Sequence, residues 1–283
     1  MRRDGRRLDN LAAFYRLTPF MMKTRGDASN FYRDTVNIEA AEIFARKLRS
    51  EGLKQFGMLH VFVAAYHHTV MQLPALNRFI SGQRIYARNR LEIVMTVKKQ
   101  LSTESGETSY KIFLEPGDTI REVYCKMSEA IGKIKADSGD NATENTAEVL
   151  MKFPRLVLKF IIWLMGVLDY FSILPQSIID ASPFHGSLVI TDLGSIGIGP
   201  IYHHLYNFGN VPVFLAFGRK SRKTETDLGG NVVERRYIDY AVVCDERICD
   251  GYYYAQAFRH INHYLHNPEL LEKAPPEINA DIS

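Results

Sequence analysis

The stretch Asp245-Glu246-Arg247-Ile248-Cys249-Asp250-Gly251 separates two well-marked elements. Residues 237–244 before it alternate polar and apolar at first and then become wholly apolar, which predicts a strand. Residues 252–265 after it predict a helix, which ends at Asn267-Pro268 because proline cannot continue one. The heptapeptide is therefore predicted to be a strand-to-helix turn, and its charged side chains are the first candidates for a functional site.

The elements around this turn indicate a mixed α/β chain. Residues 187–192 and 211–218 are apolar, β-rich runs, and the polar stretch 219–236 predicts a hairpin with Gly229-Gly230-Asn231 at its tip. Upstream, apolar periodicity predicts strands at 31–38, 83–86, 91–100 and 109–114, and helices at 39–51, 56–73, 119–135 and, broken near Pro175, within 146–180. Strands that run antiparallel late in the chain favour an α/β fold of the α+β two-layer type, a mixed sheet covered by helices.

Composition excludes several function classes. The chain has 283 residues, 46% apolar and 24% charged, with a formal net charge of +3, which is too small to indicate nucleic-acid binding. Four arginines near the N-terminus (2, 3, 6 and 7) are the nearest approach to a basic stripe. They are predicted to be a solvated, partly frayed end of an N-terminal arm, residues 1–24, that carries a short helix.

The three cysteines, at 125, 244 and 249, form no CxxC pair and have no histidine at metal spacing. We therefore expect no metal site, a reducing compartment and a cytoplasmic location. The N-terminus lacks the apolar core of a signal peptide. A buried, apolar role is favoured for Cys244 and Cys249, since free cysteine is among the most buried residue types.

Residues 153–174 are strongly apolar, but Pro154, Arg155, Lys159 and Asp169 interrupt them. The longest uncharged run in the segment is far shorter than the roughly 20 residues that cross a bilayer. We expect no membrane span. A helix that packs inside the fold or its oligomer is favoured, and an interfacial membrane helix is the alternative.

Three motifs that suggest catalysis or cofactor binding are better explained structurally. Residues 194–199 follow the order GxxGxG rather than GxGxxG and precede Pro200, so they are predicted to be a loop and not a phosphate site. The pairs His67-His68 and His203-His204 lack the Asp-Gly that follows such pairs in HHxxxDG acyl-transfer enzymes. A structural role is favoured for both pairs.

The heptapeptide 245–251 resembles the DHRxxDG segment of the acyltransferase component of 2-oxoacid dehydrogenase complexes, whose fold is similar to that of chloramphenicol acetyltransferase. Further segments resemble the same family in the same order, from about residue 30 to 272: residues 74–77, 188–194, 213–219 and 267–271. Residues 140–185 depart from the pattern as an apolar helical insertion. The resemblance implies a chloramphenicol-acetyltransferase-like fold and a free-standing, single catalytic-type domain over residues 1–283.

This resemblance also implies a chemistry. In the family, a histidine takes a proton from a thiol or hydroxyl that attacks a thioester, and a Ser or Thr hydroxyl on the facing strand stabilises the oxyanion. The sites lie between the subunits of a homotrimer, with a channel for coenzyme A. Here Thr191 occupies the hydroxyl position, Asp250 the position of the motif's aspartate, usually an ion-pair partner, and Glu246 the histidine position.

Glu246 makes proton transfer harder. Free glutamic acid has a pKa about 2 units below that of histidine, which corresponds to about 3 kcal/mol, or roughly 100-fold in rate. Burial can raise a glutamate pKa to about 6–7 and remove the deficit, whereas an exposed glutamate, or one paired with Arg247 or a basic N-terminal residue, gains nothing. Two hypotheses follow: a diverged coenzyme A-dependent acyltransferase, or a non-catalytic relative that binds coenzyme A, an acyl ligand or a protein partner.

Overall fold

The computed structural model describes residues 2–98, 107–136, 151–227 and 229–282. Its centre is a mixed six-stranded sheet with the strand order β2-β9-β8-β7-β5-β6, and a second sheet has the order β1-β4-β3. The strands are β1 Gly5–Arg7, β2 Ser29–Asn37, β3 Arg78–Ser81, β4 Arg84–Arg88, β5 Leu91–Lys98, β6 Glu107–Leu114, β7 Leu188–Asp192, β8 Val213–Thr226 and β9 Val232–Asp245. Within the large sheet β5, β7 and β8 are parallel and the outer pairs are antiparallel.

Helices cover the large sheet, as the mixed pattern of the sequence predicts. They are α1 Ala13–Met21, α2 Glu39–Ser50, α3 Met58–Gln72, α4 Ile120–Ala136, α5 Arg155–Tyr170, α6 Gln176–Ala181 and α7 Gly251–His266. Helix α3 is buried on nearly every side. Helices α2, α4 and α7 contact it, and its residues Phe62 and Tyr66 pack into the main core beside the sheet. The phenyl ring of Phe62 stacks on Phe217 of β8 at a centroid distance of 4.6 Å.

The hairpin predicted over residues 219–236 is present and joins β8 to β9. The expected polar stretch 219–236 continues both strands beyond the sheet, and the pairing reaches Thr226 opposite Val232. A β-bulge between Phe217 and Lys220 marks the point where the strands leave the core. The buried halves of the two strands carry the functional segments, and the outer halves are exposed.

The N-terminus corrects one expectation. Arg2 is buried, with its Nε 2.5 Å from Asp4 Oδ1 and its Nη2 2.8 Å from Asp169 Oδ1. The prediction of a solvated, frayed end is therefore wrong for Arg2, although Arg6 and Arg7 are exposed. Strand β1 pairs with β4, so this end of the chain is part of the small sheet.

The apolar segment 153–174 was expected to pack inside the fold or its oligomer, and only the second of these alternatives remains a prediction. Helix α5 lies on the surface with no buried residue, so the segment does not pack inside the fold of one chain. The polar loop predicted at 136–145 falls almost wholly on residues outside those described. None of the described helices is long and apolar enough to cross a membrane.

Candidate functional site

The heptapeptide 245–251 forms the predicted turn between β9 and α7. The Glu246 N–H donates to the Ala28 carbonyl at 2.8 Å, and the Asp245 N–H donates to the Pro212 carbonyl at 2.8 Å. Backbone hydrogen bonds therefore tie the turn to the starts of β2 and β8.

Asp245 is the charged centre of this turn. The Arg247 guanidinium donates from Nε and Nη2 to the two carboxylate oxygens of Asp245 at 2.8 and 2.7 Å, and from Nη1 to the Met22 carbonyl at 3.0 Å. Arg25 adds a second cation, with its Nε 3.7 Å from Asp245 Oδ2, and burial lowers the pKa of Arg25 to about 10. All three side chains are buried. Arg247 therefore forms its ion pair with Asp245, and the alternative in which it pairs with Glu246 is wrong.

Asp250 caps helix α7. Its carboxylate accepts from the Tyr253 N–H at 2.8 Å and from the Tyr15 hydroxyl at 2.6 Å. The hydrogen bond from Tyr15 is the main cause that lowers the Asp250 pKa. The resemblance implies an ion-pair partner at this position, but the structure places a helix cap here and the buried ion pair at Asp245.

Glu246 points away from this network and is exposed. A glutamate base of this kind needs burial, which one chain does not give Glu246. The condition under which Glu246 could act as a base is therefore not met by one chain alone.

Thr191 lies in the wall of a cavity of about 560 Å³ beside the parallel strands. Its side chain is half-buried on β7, where Thr191 pairs with Ala216 of β8. Apolar side chains form most of the remaining wall: Leu59, Val94, Met95, Pro183, Phe184, Val189, Ile190, Leu193, Ile196, Leu205, Phe208, Val211 and Phe214. Polar groups next to Thr191 come from Thr96, Ser109, Asp192, Ser195, His203 and His204. An apolar enclosure with a few convergent polar groups is the usual form of a small-molecule site.

The turn after β7 is structural, as the sequence predicts. Asp192 Oδ1 accepts from the Ser195 N–H at 3.0 Å, and burial raises the pKa of Asp192. A Cβ at Gly194 would lie 2.6 Å from the Gly218 carbonyl oxygen, so this close approach requires glycine. Gly194 thus packs closely against β8, while residues 195–199 form an exposed loop beside the cavity.

The two histidine pairs have different surroundings. His67 and His68 lie in the core, where their Nε2 atoms donate to the Glu115 and Lys273 carbonyls at 2.8 and 2.9 Å. Burial lowers the pKa of both, that of His67 to about 4, and this pair is structural as predicted. The second pair, His203-His204, lines the cavity, and His203 stacks on Phe214 at 4.3 Å. The sequence analysis did not predict that this pair lines a cavity. The one indication in the sequence is its position shortly after the Thr191 strand, in the loop that follows Pro200.

Cys244 and Cys249 are buried, as predicted, and burial raises the pKa of both thiols. Cys125 is exposed on α4. Within the described part of the chain no cluster of histidine, cysteine or carboxylate side chains could hold a metal ion.

Thr191 and Glu246 do not meet within one chain. The register places Thr191 level with Ala216 and Ala241, so Glu246 lies two strands across and five residues further along β9. With spacings of about 4.8 Å between strands and 3.3 Å per residue, their backbones are about 19 Å apart. A site that uses both residues needs two copies of the chain.

Residues 181–272 match the family model described as 2-oxoacid dehydrogenases acyltransferase (catalytic domain). This match contains both the Thr191 strand and the Glu246 turn. Among solved structures, the cubic core of the pyruvate dehydrogenase multienzyme complex is 13% identical with a TM-score of 0.58, over 90% of this chain and 87% of that one. A chloramphenicol acetyltransferase is 11% identical with a TM-score of 0.56, over 92% of this chain and 99% of that one.

The fold is chloramphenicol-acetyltransferase-like. A probable dihydrolipoamide acetyltransferase from Listeria monocytogenes shares it at 11% identity and a TM-score of 0.57, over 97% of this chain and 99% of that one. No curated protein matches by sequence. The resemblance found in the motifs is thereby confirmed. The chloramphenicol-acetyltransferase-like fold spans the chain, while the acyltransferase family match covers its last third.

Proposed function

We propose that this chain binds an acyl-coenzyme A thioester in the Thr191 cavity, within a cleft shared by the subunits of a homotrimer. The observation that carries the proposal is the cavity of about 560 Å³ with a retained hydroxyl in its wall. Sites for small molecules and cofactors commonly occupy about 300–1,000 Å³. The apolar wall suits an acyl chain and a pantetheine arm, and the Thr191 hydroxyl can donate to a thioester oxygen.

The shared cleft follows from the 19 Å that separates Thr191 from Glu246. A second copy that places its 245–251 turn at the cavity mouth would bring the two positions together. The loop beside the cavity exposes Ile196, Ile198, Ile201 and Tyr202, and Phe31 contacts the last of these. Such an exposed apolar rim is typical of a surface that a partner covers.

Binding without standard acyl transfer is the function that the site supports best. Free glutamate is a weaker base than free histidine by about 2 pKa units, so a carboxylate in the histidine position is a poor acceptor for a thiol proton. The Asp245–Arg247 pair is satisfied internally and offers no substitute base. The second candidate is a diverged acyltransferase in which a neighbouring subunit buries Glu246 and raises its pKa.

Calorimetry with coenzyme A and a series of acyl-coenzyme A thioesters tests binding, and a thiol-release assay on the same thioesters tests transfer. We expect binding of acyl-coenzyme A and little thioester consumption. Thr191→Val should weaken thioester binding several-fold, because it removes a hydrogen bond worth about 1 kcal/mol. The matched control Thr224→Val, on the exposed hairpin, should bind normally. Absence of binding by the native chain would overturn the proposal.

Glu246→His and Glu246→Gln separate the two candidates. If only the base is missing, Glu246→His gains thioester activity over the native chain. If Glu246 is a working base, the native chain is already active, and Glu246→Gln lowers that activity by about 10²–10⁴-fold. The second result would replace the non-catalytic function with a diverged acyltransferase.

A further inference from the structure

We propose that helix α5 docks this protein on the surface of an anionic phospholipid bilayer. The proposal concerns a surface remote in sequence from the Thr191 and Glu246 segments and does not depend on what the cavity binds. It rests on an exposed apolar stripe, on basic side chains beside it, and on contacts that hold the helix in place.

The stripe occupies the N-terminal two-thirds of α5, from Leu156 to Leu164. Leu156, Phe160 and Trp163 follow one another at helical spacing and are 80%, 57% and 59% exposed. Val157 and Leu164 widen the stripe on one side. The other side of the helix, with residues 158, 161, 165 and 168, is half-buried. The exposed stripe is therefore a face that none of the described residues covers.

Among the described residues 151–170, every exposed charged side chain is basic. Lys152, Arg155 and Lys159 are exposed within or just before α5. The one carboxylate of the helix, Asp169, is largely buried and is paired with Arg2 at 2.8 Å. Apolar and aromatic residues beside lysine and arginine are the composition of helices that lie in a membrane interface, where the basic groups contact anionic headgroups.

The helix is held rigidly in this exposed position. Both the Arg2 guanidinium and the Ser81 hydroxyl donate to the Asp169 carbonyl, at 3.2 and 2.8 Å. The Tyr170 hydroxyl donates to Gln83 Oε1 at 2.9 Å. Because these bonds fix the C-terminal end of α5 to the small sheet, the apolar stripe is presented outward as a defined surface.

Charge distinguishes a bilayer from a second copy of the chain. If two copies met stripe to stripe about a two-fold axis, the basic groups of both chains would come together. The subunit contact of the proposed trimer lies elsewhere, at the exposed rim that includes Ile198 and Tyr202. An anionic bilayer offers hydrocarbon for the stripe and phosphate or carboxylate for Arg155 and Lys159. The aromatic ring pair of Phe160 and Trp163, 5.7 Å apart, has the size and polarity of residues enriched at the headgroup level.

Trp163 is the only tryptophan of the chain, so its fluorescence reports on this surface alone. The intact protein is floated with vesicles of phosphatidylcholine and with vesicles of equal parts phosphatidylcholine and phosphatidylserine. We expect co-flotation and a blue shift of Trp163 emission with the anionic vesicles, weakened by salt. Brominated acyl chains in those vesicles should quench the emission.

Two variants test the two parts of the surface. Arg155→Gln with Lys159→Gln should weaken vesicle binding by about fivefold for each charge removed. Arg222→Gln with Lys223→Gln, on the exposed hairpin, changes the net charge equally and should bind as the native chain does. Phe160→Ser should reduce both binding and blue shift, with circular dichroism confirming that the variant is folded.

Several results would overturn the proposal. They are an absence of flotation with both vesicles, equal binding to neutral and anionic vesicles, and equal weakening by the two double variants. A blue shift that grows with protein concentration in the absence of lipid would also overturn it, and would assign the stripe to contact between copies of the chain.

Discussion

Asp245 and Glu246 are neighbours in sequence and have opposite surroundings. Asp245 is 1% exposed and binds two buried guanidinium groups, whereas Glu246 faces solvent. Asp245 is the last residue of β9, and Glu246 is the first residue of the turn that follows it. One carboxylate is therefore structural, and the other is available to a ligand or a second copy.

Asp245→Ala should destabilise the protein strongly. It leaves the Arg25 and Arg247 guanidinium groups buried without their carboxylate, and breaking a buried pair costs about 3–5 kcal/mol. Urea unfolding measures the loss. Glu246→Ala is the matched control, and we expect its unfolding free energy to stay within about 0.5 kcal/mol of the native value. Equal losses in the two variants would contradict the assignment of the ion pair to Asp245.

The sequence predicted the positions of the candidate site residues but not their surroundings. The motif located Glu246, Thr191 and Asp250 on a turn and a strand, and the structure has them there. Which acidic residue is buried depends on Arg25, which lies far away in the sequence. Local spacing carries no information about such a contact, so the ion pair was expected at Asp250 instead.

At the scale of elements, a buried histidine of α3, His60, makes the stability of the folded chain depend on pH. Burial lowers the pKa of His60 to about 4, and its ring stacks on Phe56 at 5.1 Å. The unfolded chain has the ordinary value of about 6.5, so it binds a proton more readily than the folded chain between these two values. The stabilisation is complete above about pH 6.5 and is lost as the pH falls toward about 4.

His60→Gln should reduce this acid sensitivity, because glutamine takes no proton and can still accept from the Gly57 N–H. The drop in unfolding free energy between about pH 7 and about pH 4 should be smaller in this variant than in the native chain. The reduction should be on the order of 3 kcal/mol. His67, with its similarly lowered pKa, keeps part of the dependence in this variant. The exposed His266→Gln is the control. An unchanged difference for His60→Gln would contradict the burial of a neutral imidazole.

The elements themselves could be predicted where the apolar period is clear. Strands β5 and β7 and helices α2 and α3 agree with the sequence to within about two residues at each end. Strands β1 and β3 were missed because they have only three and four residues, too few to show alternation. Helix α5 is apolar on nearly every side, so its period could not show which side would be covered.

At the scale of the whole molecule, the cavity face is incomplete in one chain. Phe31 at the start of β2 is 64% exposed, and its ring meets Tyr202 edge-to-face at 5.3 Å. Ile198 and Ile201 lie exposed in the same loop, which leads to the histidines of the cavity wall. Since this apolar rim lies between the Thr191 cavity and β2, it is the surface at which we expect a neighbouring subunit.

Sedimentation of the native chain at micromolar concentration should therefore give the mass of three chains. Phe31→Glu should shift the population to monomers, because it places a charge in an apolar contact. The matched control Val232→Glu introduces the same charge at an equally exposed position, 75%, on the far end of the hairpin and should stay trimeric. Phe31→Glu should also lose acyl-coenzyme A binding if the cleft is shared, and keep it if the cavity of one chain suffices. A clean native monomer would exclude the shared cleft and leave the Thr191 cavity as a site within a single subunit.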